Sequence, residues 1–130
     1  MILLRYYFFN VHNLEPAEIR LPDGGLFRPD LLAQDGDGRT IFIEVEHTAA
    51  KDYEQRKAKW RNALLAGGGE LYVICDNLAC LRSVRSEINF YLGRQRGRVF
   101  LTSLAEAQAG KRAADGNIWL HTIGSPMLAS

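Results

Sequence analysis

The feature that most constrains this chain is an extended run with carboxylates on the face expected to be covered. In Arg39-Thr40-Ile41-Phe42-Ile43-Glu44-Val45-Glu46-His47-Thr48, successive side chains alternate between the two faces of a strand. Ile41, Ile43 and Val45 share one face, and Phe42, Glu44 and Glu46 the other. The β-branched neighbours suit a central strand covered on both sides. Glu44 and Glu46 then stand roughly 7 Å apart, where a low dielectric makes paired like charges costly unless a cation neutralises them. On an edge strand both would simply be solvated.

A second extended run, Phe27-Arg28-Pro29-Asp30-Leu31-Leu32-Ala33-Gln34, precedes it, and Asp35-Gly36-Asp37-Gly38 supplies residues that tolerate positive φ in a hairpin loop. Asp30 is the third acid. Opposite residues of an antiparallel pair point to the same face, so loop parity decides whether Asp30 can join Glu44. A two- or four-residue loop sets Asp30 opposite Ile43 and turns it away. A three-residue loop, Gly36-Asp37-Gly38, pairs Asp30 with Glu44, Leu32 with Phe42, and Arg28 with Glu46. This convergent register is the expected one, and in it Arg28 also neutralises Glu46.

Beyond the acidic strand the pattern changes period. Lys51 to Ala66 reads as a helix that stops at Gly67-Gly68-Gly69, where residues without Cβ can take the left-handed conformation. Tyr53, Lys57, Trp60 and Leu64 fall at i, i+4, i+7 and i+11, one helical stripe, which sets Lys57 among apolar residues. There it either faces the acids or snorkels over the core edge. Leu71 to Cys75 follows as a buried strand, and a strand, helix, strand passage predicts that it lies parallel to the Ile41 strand. Asp76-Asn77 can cap a helix over Leu78 to Leu92 that packs with Leu81, Val84, Ile88 and Leu92. Val99 to Thr102 is a further strand, Ser103 caps a short helix to about Ala109, and Ile118 to Ile123 is a last strand. Upstream, Met1 to Val11 reads as a strand for the sheet or for another copy of the chain. Ala17 to Leu21 can extend, and Pro22-Asp23-Gly24-Gly25 is a turn. Arg94, Arg96 and Arg98 crowd a loop that can meet phosphates or be solvated.

Pro29-Asp30, a gap of thirteen residues, and Glu44-Val45-Glu46 resemble the signature of the PD-(D/E)xK nuclease superfamily. The resemblance spans roughly Ala17 to Thr102. It is closest to the Glu-Val-Glu variant of replication-relaxation proteins of mobile elements, in which that strand leads into a basic helix. The resemblance implies an α/β, restriction-endonuclease-like fold, a mixed β-sheet flanked by helices. It implies metal-dependent hydrolysis of DNA phosphodiesters, or DNA processing in a mobile-element or plasmid context. The alternative is a catalytically inactive DNA-binding or assembly module. Asp30 and Glu44 would bind Mg²⁺ or Mn²⁺, Glu46 would orient water or a second metal, and Lys57 would stabilise charge developing on the phosphate. Glu46 stands where the family has its lysine, and some members carry that cation on the following helix, which here offers Lys51, Arg56, Lys57 and Lys59. Implied partners are DNA, other proteins of a DNA-processing complex, and a second copy of the chain.

The length of 130 residues suits one domain, 1–130, and a hydrophobic fraction of 47% with 24% charged residues excludes a disordered or collagen-like chain. With a net charge of +1, any affinity for nucleic acid must come from local patches. Cys75 and Cys80 read as buried thiols rather than a disulfide. No run approaches the length of a membrane span, which sets the expectation of a cytoplasmic protein without membrane contact. His47 points away from Glu46 across the strand and reads as packed or hydrogen-bonded.

Overall fold

The computed structural model describes residues 12–14, 18–34, 40–47, 53–92, 97–114 and 118–125. Their elements are β1 (His12–Leu14), β2 (Ile19–Arg20), β3 (Leu26–Phe27), β4 (Leu31–Gln34), β5 (Thr40–Glu46), α1 (Tyr53–Ala66), β6 (Glu70–Cys75), α2 (Leu78–Leu92), β7 (Gly97–Ser103), α3 (Leu104–Gln108) and β8 (His121–Ser125). Six of the strands form one sheet in the order β1-β4-β5-β6-β7-β8, and β2 and β3 form a separate two-stranded ribbon. The pairs β5·β6 and β6·β7 are parallel and the outer pairs antiparallel, so the sheet is mixed. The segments Met1 to Val11, the hairpin loop 35–39, and Lys51, Arg94 and Arg96 lie outside the described residues.

The expected parallel crossover is present, with Ile43 beside Tyr72 and Glu46 beside Cys75. Two apolar clusters sandwich the sheet. On one face Leu71, Val73 and Cys75 of β6 meet Trp60, Ala63 and Leu64 of α1 and Leu81, Val84 and Ile88 of α2. On the other, Ile41, Ile43, Tyr72 and Ile74 meet Ile118 and Trp119, with Leu104 of α3 against them. This is strand alternation read directly, since β6 sends odd-numbered residues to the α1/α2 side and even-numbered residues to the other. The pairing of Glu44 with Val73 and of Glu46 with Cys75 therefore directs both acids into the α1/α2 layer.

The extended run from Phe27 to Gln34 is not one strand. It is interrupted at Arg28-Pro29-Asp30 between β3 and β4, because proline lacks the N–H a ladder needs. Pro29 is fully buried there. The turn Pro22-Asp23-Gly24-Gly25 closes the ribbon, with Leu21 N–H donating to Gly25 O at 2.7 Å and Gly24 at φ 89°. Leu21 and Phe27 enter the α1 cluster from this ribbon.

Candidate functional site

The register of β4 on β5 fixes the site. Leu31 pairs with Ile43, Leu32 with Phe42, Ala33 with Ile41 and Gln34 with Thr40, the convergent parity, and one step further sets Asp30 opposite Glu44. The chain has by then left the ladder at Pro29, and side chains replace the strand hydrogen bonds. Val45 N–H donates to Asp30 Oδ2 at 2.9 Å, and Asp30 N–H donates to Glu44 Oε2 at 3.3 Å. Asp30 and Glu44 thus clamp each other at the C-terminal end of β5. That end of parallel strands is where open α/β sheets place their ligands.

The two acids live in different surroundings. The Asp30 side chain is 45% exposed, whereas Glu44 is 2% exposed. Burial, then the hydrogen bond to the Asp30 side chain and the Asp30 charge, push the Glu44 carboxyl from 4.5 up to about 8, with Lys59 acting the other way. Glu44 is therefore largely protonated at neutral pH, beside the solvent-exposed Asp30.

Glu46 is handled differently. Its Oε1 lies 2.7 Å from Arg56 Nη1 and 3.2 Å from Lys59 Nζ, and the same ammonium is 4.0 Å from Asp30 Oδ2. The Arg56 contact has ion-pair distance without hydrogen-bond alignment, since Glu46 Oε1 and Arg56 Nη2 both lack a hydrogen-bond partner. Arg56 continues through Nε to Glu87 Oε1 at 2.8 Å, and Trp60 Nε1–H donates to that same oxygen at 2.6 Å. The guanidinium also stacks over the Trp60 ring, 5.0 Å from its centroid. Arg28 is exposed, and the cations on Glu46 are those of α1 instead, because β4 has diverged before Arg28 can reach across.

The structure brings together Asp30, Glu44 and Glu46 and adds Arg56, Lys59 and Glu87. Lys57 is half-buried, and among the described residues no ion pair joins it to these acids. The inward stripe of α1 runs through Arg56 and not Lys57. Among the described side chains of α1 the buried ones are Arg56, Trp60, Ala63 and Leu64, and both Arg56 and Lys57 are helical neighbours of Trp60, at i−4 and i−3. Spacing alone does not separate them. The chemical signal is that guanidinium stays charged in a buried ion pair and forks between two carboxylates, which favours Arg56 as the inward residue and lets Lys59, one turn on, reach the acids.

Nearby polar groups complete the strand ends. His47 Nδ1 lies 2.9 Å from Asp76 Oδ2 with its side chain 74% exposed, so it is hydrogen-bonded but not packed. Asp76 N–H donates to Glu46 O at 3.0 Å. Cys75 and Cys80 are free and buried, and burial pushes both thiols up, which makes them poor nucleophiles and poor metal ligands. A groove of about 370 Å³ lined by Thr40, Phe42, Gly67, Glu70 and Tyr72 lies at the opposite, N-terminal end of β5 and β6 and shares no residue with the acids.

A carboxyl can exchange its proton for a hard cation, and Mg²⁺ takes as few as one or two protein carboxylates. Asp30 and Glu44 fit that minimum. Glu46 does not extend the set, and among the described residues no group of three or more His, Cys, Asp and Glu is arranged to hold a metal ion. No helix among the described residues is long and apolar enough to cross a membrane. Compared with family models, curated proteins and solved structures, the chain finds no match.

Proposed function

We propose that this protein is a restriction-endonuclease-like enzyme that hydrolyses DNA phosphodiesters with Mg²⁺ or Mn²⁺, in a mobile-element or plasmid context. The observation that carries the reading is the clamp between Asp30 and Glu44 at the C-terminal end of β5, with Lys59 Nζ 4.0 Å from Asp30. Asp30 and Glu44 would hold the divalent cation, which when bound supplies Lewis-acid polarisation of a phosphoryl oxygen. Asp30, exposed to solvent, forms the entry side, and buried Glu44 forms the floor. Lys59 takes the place expected of Lys57. The Lys59 side chain is 29% exposed, and its ammonium, beside Glu46 and Asp30, would contact a phosphate oxygen and stabilise charge that develops there.

A second reading, an inactive DNA-binding or assembly module, is favoured by Glu46 at the family's lysine position and by its engagement with Arg56 and Lys59. The two readings separate in one experiment. Calorimetric Mn²⁺ titration at neutral pH should give saturable binding to the wild type and none to the Asp30→Asn, Glu44→Gln double variant, with Mn²⁺-dependent nicking of supercoiled plasmid lost in parallel. Binding without nicking supports the inactive module, and identical titrations of both proteins would exclude the metal site.

A further inference from the structure

Glu46 sits where a third metal ligand or a water-orienting group is expected, yet its contacts are those of another task. Its carboxylate is on the same strand face as Glu44, and Glu46 and Arg56 are each 5% exposed. Two cations converge on one of its oxygens, Arg56 Nη1 at 2.7 Å and Lys59 Nζ at 3.2 Å. A dication approaching that oxygen would meet two fixed positive groups at contact distance, an arrangement that opposes binding in a weakly screened interior. Arg56 is held from behind by Glu87, which in turn is held by Trp60, so neither can swing aside without stranding a buried charge.

We infer that Glu46 is a positioning residue and not a metal ligand: the buried bridge Glu46–Arg56–Glu87 holds the Lys59 ammonium beside the carboxylate pair. Lys59 lies between Glu46 at 3.2 Å and Asp30 at 4.0 Å. Remove the Glu46 charge, and the nearest acid left to the ammonium is Asp30, where it would compete with a bound cation. Glu46 keeps Lys59 close enough to serve a phosphate and far enough to leave Asp30 open. The inference rests on reading Asp30 and Glu44 as a cation-binding pair.

The test compares Mn²⁺ affinity in Asp30→Asn, Lys59→Gln and the Glu46→Gln, Lys59→Gln double variant, and the acylation rate of Lys59 by mass spectrometry in wild type and Glu46→Gln. With Lys59 gone, loss of Glu46 should weaken Mn²⁺ binding by about tenfold or less, against about a hundredfold or more for Asp30→Asn. A loss as large as that of Asp30→Asn would make Glu46 a ligand and overturn the inference. Released from Glu46, Lys59 should acylate severalfold faster, and an unchanged rate would overturn it too. Should Glu46→Gln fail to fold, Glu87→Gln loosens the bridge from its far end and should raise the same rate. If no variant and no wild type binds Mn²⁺, the cation-pair reading fails, while the acylation rates still decide whether Glu46 positions Lys59.

Discussion

Replacing Glu44 with Gln keeps the side chain's shape and removes its titration, which turns the buried acid into a measurable stability term. Glu44 is 2% exposed, and its carboxyl stands at about 8 against an ordinary 4.5. The folded protein therefore binds more protons than the unfolded chain between those values. Stability from this group is fully present below 4.5 and is lost as pH rises through about 8. At about 1.4 kcal/mol per pH unit, the loss is about 3 kcal/mol by pH 7 and about 5 kcal/mol when complete, and solvent entering past Asp30 lowers both figures. Urea unfolding in the presence of EDTA at pH 5, 7 and 9 should show Glu44→Gln gaining on the wild type by about 4 kcal/mol across that range, because titrations that do not couple to Glu44 cancel in the difference. A gap that stays constant with pH would refute the assignment of the raised carboxyl to Glu44. Adding Mn²⁺ at pH 9 should then stabilise the wild type and leave the variant unchanged, since a ligand stabilises the state that binds it.

Lys59→Gln should abolish or sharply lower plasmid nicking while Lys57→Gln preserves it, read as initial rates at saturating Mn²⁺. Equal rates in both would mean that α1 supplies no catalytic cation. Gly67→Ala should destabilise the protein by about 3 kcal/mol in thermal unfolding, because a Cβ there would stand 2.0 Å from the carbonyl oxygen of Glu70. A wild-type melting temperature would show that the α1–β6 turn relaxes freely.

Much of the frame is legible in the sequence because its signals are local. The α2 helix was expected over Leu78 to Leu92 and is observed as Leu78–Leu92, since an Asn cap, i/i+3/i+4 apolar spacing and a following glycine all agree. Asn77 Oδ1 accepts from Cys80 N–H at 2.8 Å, and Ser103 Oγ accepts from Glu106 N–H at 3.2 Å, as the cap signals predict. The Asp30–Glu44 convergence follows from parity once the loop is taken as three residues, and the pairing of Leu31 with Ile43 agrees with it. What sequence did not disclose is long-range. Pro29 splits the first strand, and only the packed ribbon shows where the halves go. Glu87, on a helix read solely for its apolar face, turns out to anchor Arg56 at a separation of 31 residues. His121 meets Glu106 at 3.0 Å across β8 and α3, a pairing with no periodic signature. In each case the missing information is which cation meets which acid, and tertiary placement decides it.

The distribution of charge within the cluster bears on whether it is a structural network or a site. A buried network that serves stability alone satisfies its most buried members first, because an unpaired charge costs most where solvent is excluded. Glu46 obeys that rule, with Arg56 and Lys59 both within 3.2 Å of it, and so does Glu87 with Arg56 and Trp60. Glu44 does not. It is more buried than either partner of the Glu46–Arg56 pair, yet among the described residues no ion pair reaches it, and its near neighbour is another carboxylate. The two cations within the cluster both meet the adjacent Glu46, Arg56 also binding Glu87 and Lys59 also standing 4.0 Å from Asp30. The Glu44 carboxyl is instead held protonated, up to about 8, by burial and by Asp30. Under the proposed function, a cation from outside the chain enters on the exposed Asp30 side and takes the place of the Glu44 proton.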